Sequence, residues 1–252
     1  YKRQILYNES GGFYYMMFNS TDIINESWPY LGTYTLFVNF SKLFYEVEIK
    51  YIGITVEARK TMIDVSETSV SIEYGDSHVF VFKYLDAETG ELIGEAEAYY
   101  EITYNSSLVM TGMLEYDNVS HEYYIPFDSK QILNSTHLLG TYIISATFSK
   151  LFYEQLEKIV SVTVEEIRTM AYAQPENITI VWGESPTIIL MYVVAKNGSY
   201  IHDVDISLNV SPQADEGAFF IVKAEYYELH VNASLLGIQT YIINATMSKE
   251  YF

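Results

Sequence analysis

The chain has 252 residues, of which 49% are hydrophobic and 16% aromatic, so it can bury the cores of two or three small, mainly β domains. Its formal net charge of −19 argues against nucleic acid as a partner, because neutralising phosphates requires a basic face. Cysteine is absent, which excludes disulfides, thiolate zinc sites and a cysteine nucleophile. The sequence contains no apolar run of about 18 residues, so no membrane-spanning helix is predicted.

One predicted β-strand occurs three times and organises the chain. Its copies are LGTYTLFVNFSKLFY at residues 31–45, LGTYIISATFSKLFY at 139–153 and LGIQTYIINATMSKEYF at 236–252. Apolar and polar residues alternate in each copy, as in a strand with one buried face. The residues predicted to point inward are Tyr34, Leu36, Val38 and Phe40, then Tyr142, Ile144, Ala146 and Phe148, then Tyr241, Ile243, Ala245 and Met247. A strand that recurs about a hundred residues apart predicts a repeated domain.

The repeat also sets the predicted domain boundaries. Residues 31–104 and 139–212 align without a gap at an offset of 108. We therefore predict the C-terminal part of a β-sandwich at residues 1–60, a complete β-sandwich at 61–168, and a β-sandwich lacking its last strand at 169–252. Within the first segment, the alternation changes between Glu46 and Arg59, which predicts a β-bulge near Gly53.

The other strands are predicted in the same way. Phe80, Phe82 and Tyr84 follow a turn at Gly75-Asp76, and further strands are predicted around 96–104, 110–115 and 121–127. Residues 131–137 are the one segment predicted as a helical turn. In the third segment, one strand is predicted before Gly183, through Ile178, Ile180 and Trp182, and another after it, through Ile188, Leu190 and Tyr192. About six to eight short strands separated by turns predict an all-β, antiparallel sandwich.

Asparagine occurs only in the sequence Asn-x-Ser/Thr, the acceptor for N-glycosylation. Chance would place roughly two of twelve asparagines in this context, given the serine and threonine content. The candidate sites are Asn8, Asn19, Asn25, Asn39, Asn105, Asn118, Asn134, Asn177, Asn197, Asn209, Asn232 and Asn244. The sequence therefore predicts a heavily N-glycosylated protein.

Strand alternation supports the same prediction, because a glycan must point to solvent. Asn39 and Asn244 fall on the face of the repeated strand opposite its inward tyrosines. Asn105, Asn177 and Asn209 also alternate against inward residues of predicted strands. Asn197 stands before Gly198, so a simple hairpin turn explains it equally well.

Two stretches resemble Ig-like β-sandwich repeats of large archaeal cell-surface and surface-layer glycoproteins. They are YGDSHVFVFKYLDAETGELIGEAEAYYEI from Tyr74 and LLGTYIISATFSKLFYE from Leu138. The third segment departs from the pattern by inserting Ile238-Gln239 and by having Val194 in place of Asp86. The resemblance implies tandem Ig-like (fibronectin III-like) sandwiches and a role as a spacer, adhesive stalk or layer component. Dense sequons without cysteine favour the same extracellular, archaeal setting.

Catalytic and metal sites are not predicted. Gly75-Asp76-Ser77-His78 is similar to an esterase motif, but a strand follows it instead of the helix that a nucleophile elbow requires. The five histidines never occur at metal-ligand spacing. Ca²⁺ remains open as a ligand of Asp86, Glu88 and Glu91, or of Glu165 and Glu166. Solvated surface turns explain these residues as well. No cofactor is expected apart from covalent glycans.

Two functions remain open on this scaffold. One is a structural glycoprotein of a surface layer, stalk or extracellular filament, and the other is an adhesin or carbohydrate-binding array. A binding module requires a concave site with convergent aromatic and polar groups. The sequence shows no such group of residues, which favours the structural function.

Assembly is predicted from the last strand of the third segment. This segment has no counterpart of residues 154–165, so one edge of its predicted core is open. We expect a strand of the chain's own continuation or of another copy to cover that edge. A strand donated head to tail by another copy would build a filament, with copies of the protein itself as partners.

Overall fold

The computed structural model of the chain describes residues 5–17, 19–22, 31–132, 139–212, 217–223, 226–236 and 238–249. Most of them lie in β-strands, and the helical residues are one 3-10 turn (Ser20–Asp22) and one short helix, α1 (Ser129–Ile132). The predicted all-β fold class is confirmed. The helical turn predicted at 131–137 is wrong in its start, because α1 begins at Ser129, and residues 133–138 lie outside the described residues.

The chain divides into two compact units. One consists of Tyr1–Thr68, Val79–Pro126 and Ile143–Val160, and the other of Ser69–His78, Phe127–Tyr142 and Ser161–Phe252.

The first segment forms two antiparallel pairs. Its strands are β1 (Leu6–Asn8), β2 (Phe13–Tyr15), β3 (Gly32–Phe40) and β4 (Glu48–Val56). β1 pairs with β2, and β3 pairs with β4 without interruption from Gly32–Val56 to Phe40–Glu48. The bulge predicted near Gly53 is therefore wrong, since Gly53 lies in register opposite Thr35. The sequence indicated a bulge because β4 has large apolar side chains on both of its faces.

The middle segment contains nine strands in two sheets. They are β5 (Thr61–Val65), β6 (Ser69–Glu73), β7 (Ser77–Asp86), β8 (Glu97–Tyr104), β9 (Ser107–Met113), β10 (Glu115–Asp117), β11 (Glu122–Asp128), β12 (Gly140–Ser149) and β13 (Leu156–Glu165). The sheet orders are β10-β11-β7-β5 and β6-β13-β12-β8-β9. With β5, β7, β8 and β10–β13 lettered A to G, these are the D-E-B-A and G-F-C sheets of an Ig sandwich, with β6 and β9 added at the edges of the second.

The core between these two sheets is aromatic. Phe148 of β12 lies 5.9 Å from Phe82, 5.5 Å from Tyr84 and 5.2 Å from Tyr123, measured between ring centroids. The inward residues predicted for the repeated strand here, Tyr142, Ile144, Ala146 and Phe148, are all 0% exposed. Thr147, predicted to point outward, is also buried.

The third segment forms a second sandwich from six strands. They are β14 (Thr169–Gln174), β15 (Thr187–Val194), β16 (Asp205–Ser211), β17 (Ala218–Val222), β18 (Tyr227–Val231) and β19 (Ile242–Ser248). The order β14-β15-β18-β17 again corresponds to A-B-E-D, and β16 pairs with β19 as C pairs with F. Ile188, Leu190 and Leu229 are buried in this core, and Ile243 and Ala245 of β19 pack against them.

One strand predicted in the third segment is wrong. Ile178, Ile180 and Trp182 lie in irregular chain, and Trp182 is 68% exposed. The corresponding strand of the middle segment is β6, which pairs in parallel with β13. Among the described residues, no strand pairs with the backbone at 178–182.

Local geometry recurs at the 108-residue offset. The hydroxyl oxygens of Thr33 and Thr55 are 3.0 Å apart across β3–β4, and those of Thr141 and Thr163 are 2.9 Å apart across β12–β13. Phe44 and Phe152, each in the turn after the repeated strand, both have a φ of 70°. The two hairpins therefore share one register.

Candidate glycosylation sites

Ten of the twelve sequon asparagines lie in the described part of the chain, and Asn25 and Asn134 lie outside it. Eight of the ten are exposed, and none is buried. The exposed ones are Asn19, Asn39, Asn105, Asn118, Asn177, Asn197, Asn209 and Asn244, and the half-buried ones are Asn8 and Asn232. Each of the ten is at least partly open to solvent, as an attached glycan requires.

Three sequon asparagines lie within strands and point outward. Asn39 is on β3, Asn209 on β16 and Asn244 on β19, and all three are exposed. The neighbours of Asn209 and Asn244 are half-buried, whereas Asn39 stands between the half-buried Val38 and the exposed Phe40. Asn209 and Asn244 lie directly opposite each other in the β16–β19 ladder. The outward direction predicted for these three asparagines from alternation agrees with their exposure.

A second group of sequons closes local turns. The Oδ1 atom of Asn8 accepts a hydrogen bond from the Ser10 hydroxyl at 2.8 Å, and that of Asn197 accepts one from the Ser199 hydroxyl at 2.7 Å. Asn19 and Thr21 form the same contact at 2.8 Å. In these turns the first and third residues of the sequon contact each other, as in Asx turns.

Two sequons predicted to lie in strands do not. Asn105 and Ser106 form the two-residue loop between β8 and β9, and their φ angles of 48° and 64° fit a type I′ turn. Asn177 lies in the irregular chain before Gly183. For Asn105, the alternation extended β8 past the point where the chain reverses, and for Asn177 the predicted strand does not form.

The Gly75-Asp76-Ser77-His78 segment is a turn that leads directly into β7. Gly75 has a φ of 96°, and Asp76 Oδ2 accepts a hydrogen bond from Lys196 Nζ at 2.9 Å. This hydrogen bond and the charge of Asp76 raise the pKa of Lys196. No helix follows Ser77, so the geometry of a nucleophile elbow is not formed here.

Asp86, for which the sequence leaves Ca²⁺ open as a ligand, uses both carboxylate oxygens within the protein. Oδ1 accepts the N–H groups of Glu88 at 2.9 Å and Thr89 at 3.1 Å, and Oδ2 accepts Arg59 Nη1 at 2.8 Å. The hydrogen bonds from Thr89 and Glu88, followed by that from Arg59, lower the pKa of Asp86. Among the residues that the structure describes, no three His, Asp or Glu side chains are close enough to hold a metal ion.

One shallow concavity combines aromatic and polar side chains. It has a volume of about 440 Å³ and is lined by Tyr14, Phe40 and Tyr45 together with Lys42 and Glu48. This is the kind of surface that the adhesin alternative requires.

The sequence reasoning missed an exposed aromatic pair on β3–β4. Phe37 and Tyr51 lie opposite each other with ring centroids 5.3 Å apart. The available signal was the spacing of Phe37 and Asn39, which places both on one face of β3.

In the described residues, no helix is long and apolar enough to cross a membrane. No protein-family model and no curated protein matches the chain. Among solved structures, the bacterial integrin-binding protein invasin matches with 15% identity over 82% of this chain, at a TM-score of 0.30. Domains 5–6 of the S-layer protein SbsC match with 12% identity over 74% of this chain, and its domains 4–9 with 13% over 86%, both at a TM-score of 0.28.

These matches cover 40% of the invasin chain, 94% of the SbsC fragment of domains 5–6 and 34% of that of domains 4–9. The present chain thus spans less than half of the invasin chain that it resembles. At these identities and scores, the likeness carries no conclusion about what this chain binds or assembles with.

Proposed function

We propose that this chain is a structural, heavily N-glycosylated extracellular protein of a surface layer, stalk or filament. One observation carries the proposal: all twelve asparagines occupy sequons, and none of the ten described ones is buried. Selection for turn-forming asparagine alone explains neither the obligatory Ser/Thr nor the outward asparagines within strands. The lack of cysteine beside so many sequons favours an archaeal cell surface.

The structural function also fits how the polar side chains are used. Asp86 and Asp76 are engaged in turns and ion pairs, and the described residues hold no metal cluster. In the described chain, these two carboxylates therefore stabilise the turns of the sandwich.

We propose that the repeat period is also the domain period, with boundaries near 60–61 and 168–169. β5 begins at Thr61 and β14 at Thr169, so each boundary falls where a first strand starts. Across the second boundary, Lys196 Nζ lies 2.9 Å from Asp76. At the boundary itself, Arg168 Nε lies 4.0 Å from Glu73 of the middle segment. Short junctions with such contacts suit a semi-rigid array.

We further propose head-to-tail assembly through the core of the third segment. β19 pairs with β16 along one edge, and in the described chain no strand pairs with its other edge. Beside it, Ile188, Leu190, Leu229 and Ala245 line a cavity of about 540 Å³. In the middle segment the corresponding place is taken by β13, which contributes the buried Val160, Val162 and Val164.

The strand proposed to fill this cavity is β4 of a second copy, and a strand of the chain's own continuation is the alternative. Ile52, Ile54 and Val56 of β4 stand 108 residues before the three valines of β13, and Ile52 is 48% exposed. Pairing would cover an apolar row on each copy. Because the two surfaces differ, the contact would propagate into a filament.

A synthetic β13 peptide, LEKIVSVTVE, tests this assembly. We expect it to bind the protein, raise its Tm and reduce its self-association in sedimentation experiments. A control peptide with serine in place of Val160, Val162 and Val164 should do neither. A protein that stays monomeric and ignores both peptides would exclude strand donation while leaving glycosylation open.

The second candidate is an adhesin or carbohydrate-binding array, and the concavity lined by Tyr14, Phe40 and Tyr45 favours it. If it binds sugars, free oligosaccharides should bind the protein, and Tyr14→Ala and Tyr45→Ala should each abolish binding. The structural function predicts no binding in either the parent protein or the variants.

Site-resolved glycopeptide mass spectrometry of the natural protein tests the proposed glycosylation. We expect glycans at several of the eight exposed asparagines. Unmodified asparagine at every sequon would overturn the proposed function.

A further inference from the structure

The exposed face of the β3–β4 hairpin carries an aromatic pair that no protein group covers in the described chain. Phe37 is 56% exposed and Tyr51 is 69% exposed, and their rings meet edge to face at an interplanar angle of 78°. Ile49, two residues from Tyr51 on the same face, is 41% exposed. Large apolar side chains clustered on a surface mark a contact site.

A sequon lies within reach of this pair. Asn39 stands two residues after Phe37 on the same face of β3 and directly opposite Ile49 on β4. Residues two apart on a strand are separated by about 6.6 Å, and directly opposed residues have Cβ atoms about 4.5–5.5 Å apart. A pyranose ring attached to Asn39 Nδ2 can therefore lie over Phe37 and beside Tyr51.

The equivalent hairpin β12–β13 is an internal comparison, because it has the same register. At the 108-residue offset, Thr147 replaces Asn39, so this hairpin lacks the sequon. Ser145 replaces Phe37 and Ile159 replaces Tyr51, and the Ser145 hydroxyl donates a hydrogen bond to Glu157. The hairpin without a sequon thus also lacks the aromatic pair.

We propose that the glycan on Asn39 packs its first sugar against Phe37 and Tyr51. The inference rests on the proposed function, since it requires that this sequon be modified. The C–H groups on one face of a pyranose are weakly positive, and the faces of aromatic rings are negative, so the two attract each other and exclude water. The aromatic pair is then a docking surface for the protein's own sugar.

NMR spectroscopy of the glycosylated protein tests the contact directly. We expect nuclear Overhauser effects between the first sugar on Asn39 and the rings of Phe37 and Tyr51, with ring-current shifts of the sugar protons. Phe37→Ser should remove the shifts, and Tyr51→Ile should weaken them. Both substitutions copy residues that β12–β13 already carries, so the hairpin should still form.

Hydrogen exchange of the β3–β4 amides gives a second readout. Removing the sugar by Asn39→Gln should speed exchange about two- to ten-fold with Phe37 present, if the contact resembles an aromatic pair in strength. In the Phe37→Ser background, Asn39→Gln should have no further effect. Asn244→Gln is the matched control, because the residues around Asn244 on its face of β16–β19 include no aromatic side chain.

The outcomes separate the two proposals. A sugar on Asn39 that shows no ring contacts, and no coupling to Phe37, overturns the docking surface alone. The same holds if Asn39 is unmodified while other sequons carry glycans. If no sequon carries a glycan, the proposed function falls as well.

Discussion

Two buried tyrosine hydroxyls close the same loop in the two sandwiches. The Tyr123 hydroxyl donates to the carbonyl of Ile93 at 3.0 Å and accepts the N–H of Ala96 at 2.8 Å. In the third segment, the Tyr227 hydroxyl donates to the carbonyl of Ile201 at 3.3 Å. Burial raises the pKa of Tyr123 to about 12, from an ordinary value of about 10.

This raised pKa predicts an alkaline loss of stability. The unfolded chain releases the Tyr123 proton near pH 10 and the folded chain only near pH 12, so stability should fall between these values. Tyr123→Phe should be less stable at neutral pH, because it loses both hydrogen bonds, but should show a smaller loss above pH 10. Urea unfolding from pH 8 to 12 checks this, and equal pH profiles for the two proteins would contradict it.

Asp86 predicts an acid dependence of the opposite sign. Its pKa is lowered in the folded state, so its contribution is present above its ordinary pKa of about 3.9 and is lost as the pH falls through the folded value. Asp86→Asn should therefore narrow the stability difference between pH 5 and pH 2. Thermal unfolding of the parent protein and of Asp86→Asn at pH 5 and pH 2 measures this stability difference. Asp64→Asn, which changes an exposed aspartate of β5, is the control.

At the scale of elements, the copies of the repeated strand contribute differently to stability, because their inward side chains are buried to different extents. Phe148 is fully buried against Phe82, Tyr84 and Tyr123, whereas its counterpart Phe40 is 39% exposed in the described structure. Phe148→Ala should cost about 3–5 kcal/mol of unfolding free energy, as for other buried aromatics. Phe40→Ala should cost less unfolding free energy. Chemical denaturation of the two variants measures both losses, and a larger loss for Phe40→Ala would contradict the prediction.

Strand alternation predicted the buried faces because one side of each sheet faces a core. It placed Phe80, Phe82 and Tyr84 of β7 correctly, and all three are fully buried. It failed where a strand depends on a partner distant in sequence. The predicted strand through Ile178 and Trp182 needs a neighbour like β13, and only the tertiary arrangement shows whether that neighbour is present.

The candidate sites divide in the same way. A sequon is defined by three consecutive residues, so the sequence alone identifies every one of them. For the asparagines within strands, the alternation of apolar and polar residues agrees with the observed exposure. Their surroundings are not local. The aromatic pair beside Asn39 depends on β3 and β4 pairing without a bulge, and a bulge at Gly53 would have separated Phe37 from Tyr51.

At the scale of the whole molecule, we propose repeated sandwiches whose outward faces carry sugars. The glycans on β16–β19 would project from Asn209 and Asn244, away from the core face that carries Ile243 and Ala245. Sugars there would coat the sheet and block sheet-to-sheet association, leaving the edge of β19 open for a strand. Glycosylation and head-to-tail assembly are thus compatible on the same strand.

Electron cryomicroscopy of the natural protein, imaged without refolding, tests the proposed head-to-tail assembly of glycosylated sandwiches most directly. We predict end-to-end arrays of sandwiches, with additional density projecting from the exposed sequon asparagines such as Asn39 and Asn244. Isolated monomers whose sandwich surfaces are bare at every sequon would contradict it.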